Sequence, residues 1–193
     1  MNRVRTIVVA VLAAVALAAC GGTETVEYHG SYPTYESVDA LYQKANLVVE
    51  ARIGAAERVQ ELRPSVGGTD PKANPQAGTG QQAGAAEDVV VITVRQIEVV
   101  KVYKGDAKPG QQIDVGQLGG LYKGVNYVQA EATKLKGGDT YVLFLATYPD
   151  APAALLNPNQ AQYQLDASGG LNRAQGNTLQ VTTADLRRLS AAK

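Results

Sequence analysis

The stretch from Asp88 to Tyr103 (DVVVITVRQIEVVKVY) dictates more about how this chain folds than any other segment. Its apolar residues alternate with a period of two, the signature of a half-buried strand. Val90, Ile92 and Val94 share one parity, and Val100 and Val102 share it again, while Ile97 and Val99 sit on the opposite one. A slip of one residue sends every side chain to the other face of a sheet, so a regular strand cannot keep both sets inside. A β-bulge near Arg95–Glu98 removes the conflict, because an unpaired extra residue restores inward pointing and bends the strand. Long, bulged, bent strands are what a small closed barrel requires. The expected fold class is therefore mainly β.

The flanking segments fit around that strand. Ser37 caps a short helix in which Val38, Leu41, Tyr42 and Ala45 fall at i, i+3, i+4 and i+7, and Asn46 ends it. Leu47 to Ile53 reads as a strand with Val49, Ala51 and Ile53 on one face and Glu50 and Arg52 on the other. Lys104 to Gly110 carries turn residues, Gln111 to Gln117 alternates with Ile113 and Val115 inward, and Leu118-Gly119-Gly120 ends that strand. Residues 121–138 hold one weak strand around Tyr122, Val125, Tyr127 and Val128. Thr140 to Tyr148 (TYVLFLATY) is almost wholly apolar, as a strand covered on both sides should be. The proline-marked run 150–159 reads as a loop, and Gln162–Leu165 and Leu179–Val181 as short strands. Thr182 opens a short C-terminal helix, with Asp185 three residues on in the manner of a capping box and Leu186 and Leu189 on its apolar side.

One segment breaks the pattern. Residues 61–87 hold five Gly, three Pro and five Ala, with no aromatic residue and only Leu62 and Val66 as large aliphatics. Such a composition buries too little to offset its ordering entropy, so a disordered insertion is expected there. Loop closure cost grows slowly with length, and a β-domain tolerates the insertion.

The N-terminus has its own logic. Arg3 and Arg5 precede an unbroken apolar run, Ile7 to Ala19, of 13 residues. As a helix the run spans about 20 Å, short of a bilayer core of about 30 Å. A basic start, a short apolar middle and small residues at the end describe a cleavable signal over residues 1–19. The run closes as Leu17-Ala18-Ala19-Cys20-Gly21. This resembles the bacterial lipobox, and the resemblance implies cleavage between Ala19 and Cys20 and attachment of a diacylglycerol to the Cys20 sulfur. Two or more acyl chains anchor stably where one is marginal. Cys20 is the only cysteine in the chain, so no intrachain disulfide competes for it. The expected location is the extracytoplasmic face of a cell membrane, held by lipid. Residues 20–35, small and polar with a proline, read as the lipidated tether, and residues 36–190 as a single domain. The chain has 18 Lys+Arg and 18 Asp+Glu, and loss of Arg3 and Arg5 leaves a net charge near −2. That balance argues against nucleic acid and against electrostatic binding to membranes.

A second resemblance covers about residues 36–147. The strand NLVVEARI, the pair VVKVYKGDAKPGQQIDV, the turn GQLGG and the strand LKGGDTYVLFL follow one another in that order. The arrangement is similar to a group of uncharacterised secreted and lipidated bacterial domains. It implies a small OB-like antiparallel barrel with a short N-terminal and a short C-terminal helix, distantly similar to the inhibitor domains of the TIMP and netrin type. Those inhibitors chelate a zinc ion with a free, disulfide-locked N-terminal cysteine. Cys20 has no disulfide partner and would be acylated, so that mechanism is not implied here.

Catalytic chemistry finds little to build on. His29 is the lone histidine and falls in the spacer. Without a second histidine or cysteine no conventional zinc set, Ser-His-Asp triad or Cys-His pair can be assembled. Gly78 to Ala83 matches G-x-G-x-x-A but lies in the low-complexity insertion, away from any strand-to-helix junction. Asp88, Glu98, Asp106, Asp114 and Asp139 leave acid–base work by a carboxylate pair open, although nothing in their spacing singles out two of them. Asp166, Ser168 and Asn172 form a weak calcium-like pattern, and an ordinary turn accounts for them equally well. No cofactor, metal or catalytic residue is therefore expected.

Tyrosine is the one enrichment, with ten Tyr against one Phe and no Trp. Its flat apolar body and polar tip suit protein and sugar contacts. Tyr122 and Tyr127 are the expected ligand-binding residues, on a patch from Leu118 to Tyr127. The expected function is a non-enzymatic, membrane-anchored module that binds an envelope protein or glycan. Two alternatives stay open: a structural envelope-maintenance lipoprotein with no discrete ligand, and a glycan-cleaving enzyme working with carboxylates alone.

Overall fold

A computed structural model of the chain describes residues 23–62 and 90–192. The expected signal, Ala19 and Cys20, and the G-x-G-x-x-A match lie outside the described residues. Those described form nine strands and two helices. In chain order they are β1 (Glu24–Tyr28), α1 (Val38–Lys44), β2 (Leu47–Leu62), β3 (Val90–Lys104), β4 (Gln112–Tyr122), β5 (Val125–Gln129), β6 (Thr140–Ala146), β7 (Ala153–Leu155), β8 (Gln162–Leu165), β9 (Leu171–Arg173) and α2 (Thr183–Ala191). The fold class is mainly β, as expected. The strands form one sheet in the order β1-β5-β4-β3-β2-β6-β8-β9. Strand β7 pairs with both β4 and β6, so hydrogen bonds run in a ring through β4, β3, β2, β6 and β7.

Strand β3 is irregular, but not in the way its alternation suggests. Across Arg95–Glu98 it pairs with β4 one to one, from Arg95↔Val115 to Glu98↔Gln112. The irregularity there falls on β2, where Ile53↔Ile97 is followed by Glu57↔Arg95. Residues 54–56 thus stand opposite Gln96 alone. Arg95 supplies the missing donors: its Nη1 donates to the carbonyl of Ala55 at 3.1 Å, and its Nη2 bonds Glu57. Gly54 is needed there, because a Cβ would sit 2.7 Å from the Gln96 carbonyl oxygen. The residues that β3 itself leaves unpaired against β2 are Val100 and Tyr103. Val100 does not point inward as its parity implied, for the extra residue turns it out to 48 % exposure.

The main core joins α1, β2, the second half of β3, and β6. Val48, Val49, Ala51, Ile97, Leu143, Phe144 and Leu145 are all essentially inaccessible. Each of these valines, leucines, Ile97 and Phe144 is worth about 1.5–3 kcal/mol of burial. Phe144 meets Tyr163 of β8 edge-on, with centroids 6.0 Å apart. Val91, Ile92 and Val94 are buried outside this cluster, under the other end of the sheet. Helix α1 is capped as expected, with Ala40 N donating to Ser37 Oγ. At its other end Lys104 Nζ donates to the carbonyls of Tyr42 and Gln43 at 2.7 and 3.0 Å, satisfying groups a helix C-terminus leaves open. Helix α2 has the expected Thr182–Asp185 capping box and buries Leu186.

Four expectations are corrected. Strand β2 runs on to Leu62, so Glu61 and Leu62 belong to the sheet, opposite Val91 and Val90, rather than to the insertion. Strand β4 passes through Gly119 and Gly120 to Tyr122 instead of ending there. The glycines permit close approach: a Cβ on Gly119 would lie 2.6 Å from the Tyr127 carbonyl oxygen, and one on Gly120 2.8 Å from Val59 Cγ1. Leu179–Val181 is not a strand; β8 pairs instead with β9. The run 150–159 contains β7.

The expected tether is corrected as well. Within residues 20–35, Glu24–Tyr28 form β1, which pairs in parallel with β5 from Glu24↔Val125 to Tyr28↔Gln129. Further on, Gln160 bonds both the N–H and the carbonyl of Tyr35, and Asn157 donates to the Pro33 carbonyl. Composition reported the lack of an amphipathic pattern, which an edge strand does not need, since its backbone supplies the pairing.

Candidate functional site

Tyr122 and Tyr127 share one face of the β4–β5 hairpin, because Tyr122 opposes Val125 and Gly120 opposes Tyr127. Their tyrosine surfaces are already in use. Tyr127 stacks on Tyr28 with centroids 5.7 Å apart and planes 21° apart. The Tyr122 hydroxyl donates to Glu61 Oε2 at 3.3 Å, and Lys123 Nζ lies 5.0 Å from the ring centre. Both residues are half-buried, and neither lines either of the two hollows described next.

The larger hollow lies elsewhere, as a groove of about 600 Å³ along β4 and β7. Gly116, Ala153 and Ala154 line it where β4 and β7 pair in parallel. A side chain at Gly116 would fill it, for a Cβ would come within 3.3 Å of Ile92 Cδ1 and 3.6 Å of Pro152 Cβ. The walls are apolar: Ile92, Leu118, Leu155 and the proline-rich segment that follows β6. Two tyrosines also line it: Tyr148, 53 % exposed, and Tyr32. Burial raises the Tyr32 phenol above its ordinary range, against a hydrogen bond with Gln129. Gln117 faces the groove, but its amide is engaged, donating to the Thr133 carbonyl at 3.0 Å and accepting from Leu135 N at 2.9 Å. Proline and alanine before β7 thus leave an apolar trough with few free polar groups, the usual make-up of a pocket for an apolar ligand group.

Among the described residues, the candidates Glu98, Asp106, Asp114 and Asp139 lie apart from one another. Asp114 accepts from Arg58 Nη2 at 2.7 Å beside a smaller hollow of about 410 Å³ that Asp150 also borders. Asp139 Oδ2 accepts from Gln164 Nε2 at 2.8 Å. Glu98 and Asp106 are exposed, and Asp88 lies outside the described residues. His29 is exposed, 3.8 Å from the Glu27 carboxylate. Asp166 closes an ordinary turn: Oδ1 accepts from Ser168 N, Ser168 Oγ and Gly170 N, and Oδ2 from Asn172 Nδ2. Those bonds, first the Ser168 hydroxyl, hold its pKa below the ordinary carboxylate range. Among the described residues no three His, Cys, Asp or Glu side chains are grouped to hold a metal ion. No helix among them is long and apolar enough to cross a membrane.

The sequence reading missed the groove because its parts are far apart in the chain. The visible signal was the clustering of Pro149, Pro152 and Pro158 next to Tyr148, read as a plain loop. No protein-family model matches the chain, and no curated protein or solved structure does so either.

Proposed function

We propose that the protein is a lipid-anchored extracytoplasmic binding module that works without catalysis. The anchor would be a diacylglyceryl group on Cys20 after cleavage behind Ala19. The domain would be an OB-like barrel, a reading favoured by the five-strand hydrogen-bonded ring that β7 completes. The β4–β7 groove would receive an apolar segment of an envelope protein. A glycan fits less well, since sugars demand several donors and acceptors, whereas the Gln117 amide is engaged with the backbone and the walls around Asp150 are mostly apolar.

The observation that carries this reading is the groove itself: roomy, apolar, and lined by the half-exposed ring of Tyr148. A photo-crosslinking residue in place of Tyr148, with one in place of Asp106 as control, tests it in intact envelopes. Discrete adducts from position 148 alone would support the groove. The same diffuse adducts from both positions would favour a purely structural lipoprotein. Mass spectrometry of the Cys20 peptide tests the anchor separately, and an unmodified cysteine would end that part of the proposal.

A further inference from the structure

We infer that the anchored protein rests on the bilayer through the turn of the β4–β5 hairpin, with Leu121 and Lys123 at headgroup level and the β3–β4 turn pointing away. The inference rests on acylation of Cys20.

Chain length supplies the first constraint. A free spacer of fifteen residues would let the domain sit anywhere above the membrane. The structure leaves no such spacer, because the chain is already paired from Glu24 onward. Four backbone steps separate Cys20 from Glu24, at most about 14 Å when fully extended. Glu24 lies beside Val125, and Val125 lies opposite Tyr122. Neighbouring strands are only about 5 Å apart, so the acyl chains are held within about 20 Å of this turn.

The surface at the turn supplies the second. Leu121 is 62 % exposed, more than Tyr148 or Val100, the other large exposed hydrophobics among the described residues. Lys123 follows it at the tip, its ammonium over the ring of Tyr122, which lies on the other face of β4 with its hydroxyl bonded to Glu61. An exposed leucine followed by a long-stemmed lysine suits the boundary between acyl chains and headgroups. Lys123 and Gly124, at φ 49° and 83°, form the two-residue turn that brings these side chains to the tip. The charges nearby are Lys123, Glu24 and Glu61, the last bonded to Tyr122. With both signs present, the contact gains little from anionic lipid and is set by the anchor and the apolar tip. Asp106 follows β3 at the other end of β4, roughly 33 Å away by strand rise.

Cys20 being the only cysteine, a single cysteine placed elsewhere in the full acylated chain can be labelled selectively. Leu121→Cys, Lys123→Cys and Asp106→Cys, each carrying an environment-sensitive fluorophore, are reconstituted in phosphatidylcholine vesicles containing a lipid with a headgroup-attached quencher. Quenching several-fold stronger at 121 and 123 than at 106, little changed by added salt, is the expected result. Equal quenching at all three positions, with the acyl mass present on Cys20, overturns the orientation and leaves the anchor standing. Absence of the acyl mass overturns both.

Discussion

Tyr28, from a segment that composition assigns to a spacer, stacks on Tyr127, from the patch that composition assigns to a ligand. Its hydroxyl also accepts from the Val91 N–H at 3.0 Å, so one side chain ties β1 to both β5 and β3. The Tyr28–Tyr127 contact should therefore show as coupling between the two residues. Aromatic pairs contribute about 0.5–1.5 kcal/mol beyond their burial. A double-mutant cycle with Tyr28→Ala and Tyr127→Ala, read by urea unfolding, should give a coupling of that size. Additive losses would mean that β1 is not seated where it is described.

The two helices are joined by Arg188, whose Nη1 and Nη2 donate to Asp39 Oδ1 and Oδ2 at 2.9 and 2.8 Å. The bonds from Arg188 hold the Asp39 carboxyl below its ordinary pKa. An acid whose pKa is depressed on folding stabilises the fold above its unfolded pKa of about 4, and this is lost as pH falls through the folded value. Melting curves of wild type and Asp39→Asn should differ near neutral pH and converge under acid. A gap that stays constant down to strong acid would remove the ion pair as its cause.

Tyr103 is the most perturbed phenol, pushed up to about 12 by burial and then by the Glu50 carboxylate, to which it donates at 3.3 Å. A phenol raised on folding contributes stability that is complete below its unfolded pKa of about 10 and disappears as pH climbs through the folded one. The chain has no tryptophan, so phenolate absorbance reports its ten tyrosines cleanly. The folded protein should show a late step near pH 12 that loses about one phenol of amplitude in Tyr103→Phe. A late step of undiminished amplitude in that variant would assign it to another residue.

Gly119 and Gly124 both have positive φ, at 98° and 83°, yet differ in their surroundings. A Cβ at Gly124 meets nothing within 4 Å, whereas at Gly119 it meets the Tyr127 carbonyl. Gly124→Ala should cost about 1–2 kcal/mol from backbone strain alone. Gly119→Ala should cost more, about 3 kcal/mol or above, since backbone must move as well. Equal losses in chemical denaturation would show that β4 does not pass so close to β5.

The elements carried by periodic side-chain patterns are legible in the amino-acid sequence. The Val38–Ala45 helix face, the inward Val49, Ala51 and Ile53, the buried run of β6 and the Thr182 cap are local, and local rules suffice for them. That β3 is irregular is legible in the same way, but not where: its own extra residues are Val100 and Tyr103, beyond the expected Arg95–Glu98. Which chain carries the extra residues is not legible, because a bulge belongs to a pair of strands and Gln96 does not reveal that residues 54–56 will stand opposite it.

Read alone, the order of amino acids sets the β character, the two short helices and their caps, since each follows from neighbours a few residues apart. Tertiary structure decided that the spacer-like N-terminus would supply β1, that glycines written like a stop would let β4 continue, and that a proline-rich loop would wall a groove. Those outcomes depend on backbone pairing and close approach between segments distant in the chain, as when Gln160 grips Tyr35 across 125 residues, and side-chain periodicity carries no trace of them.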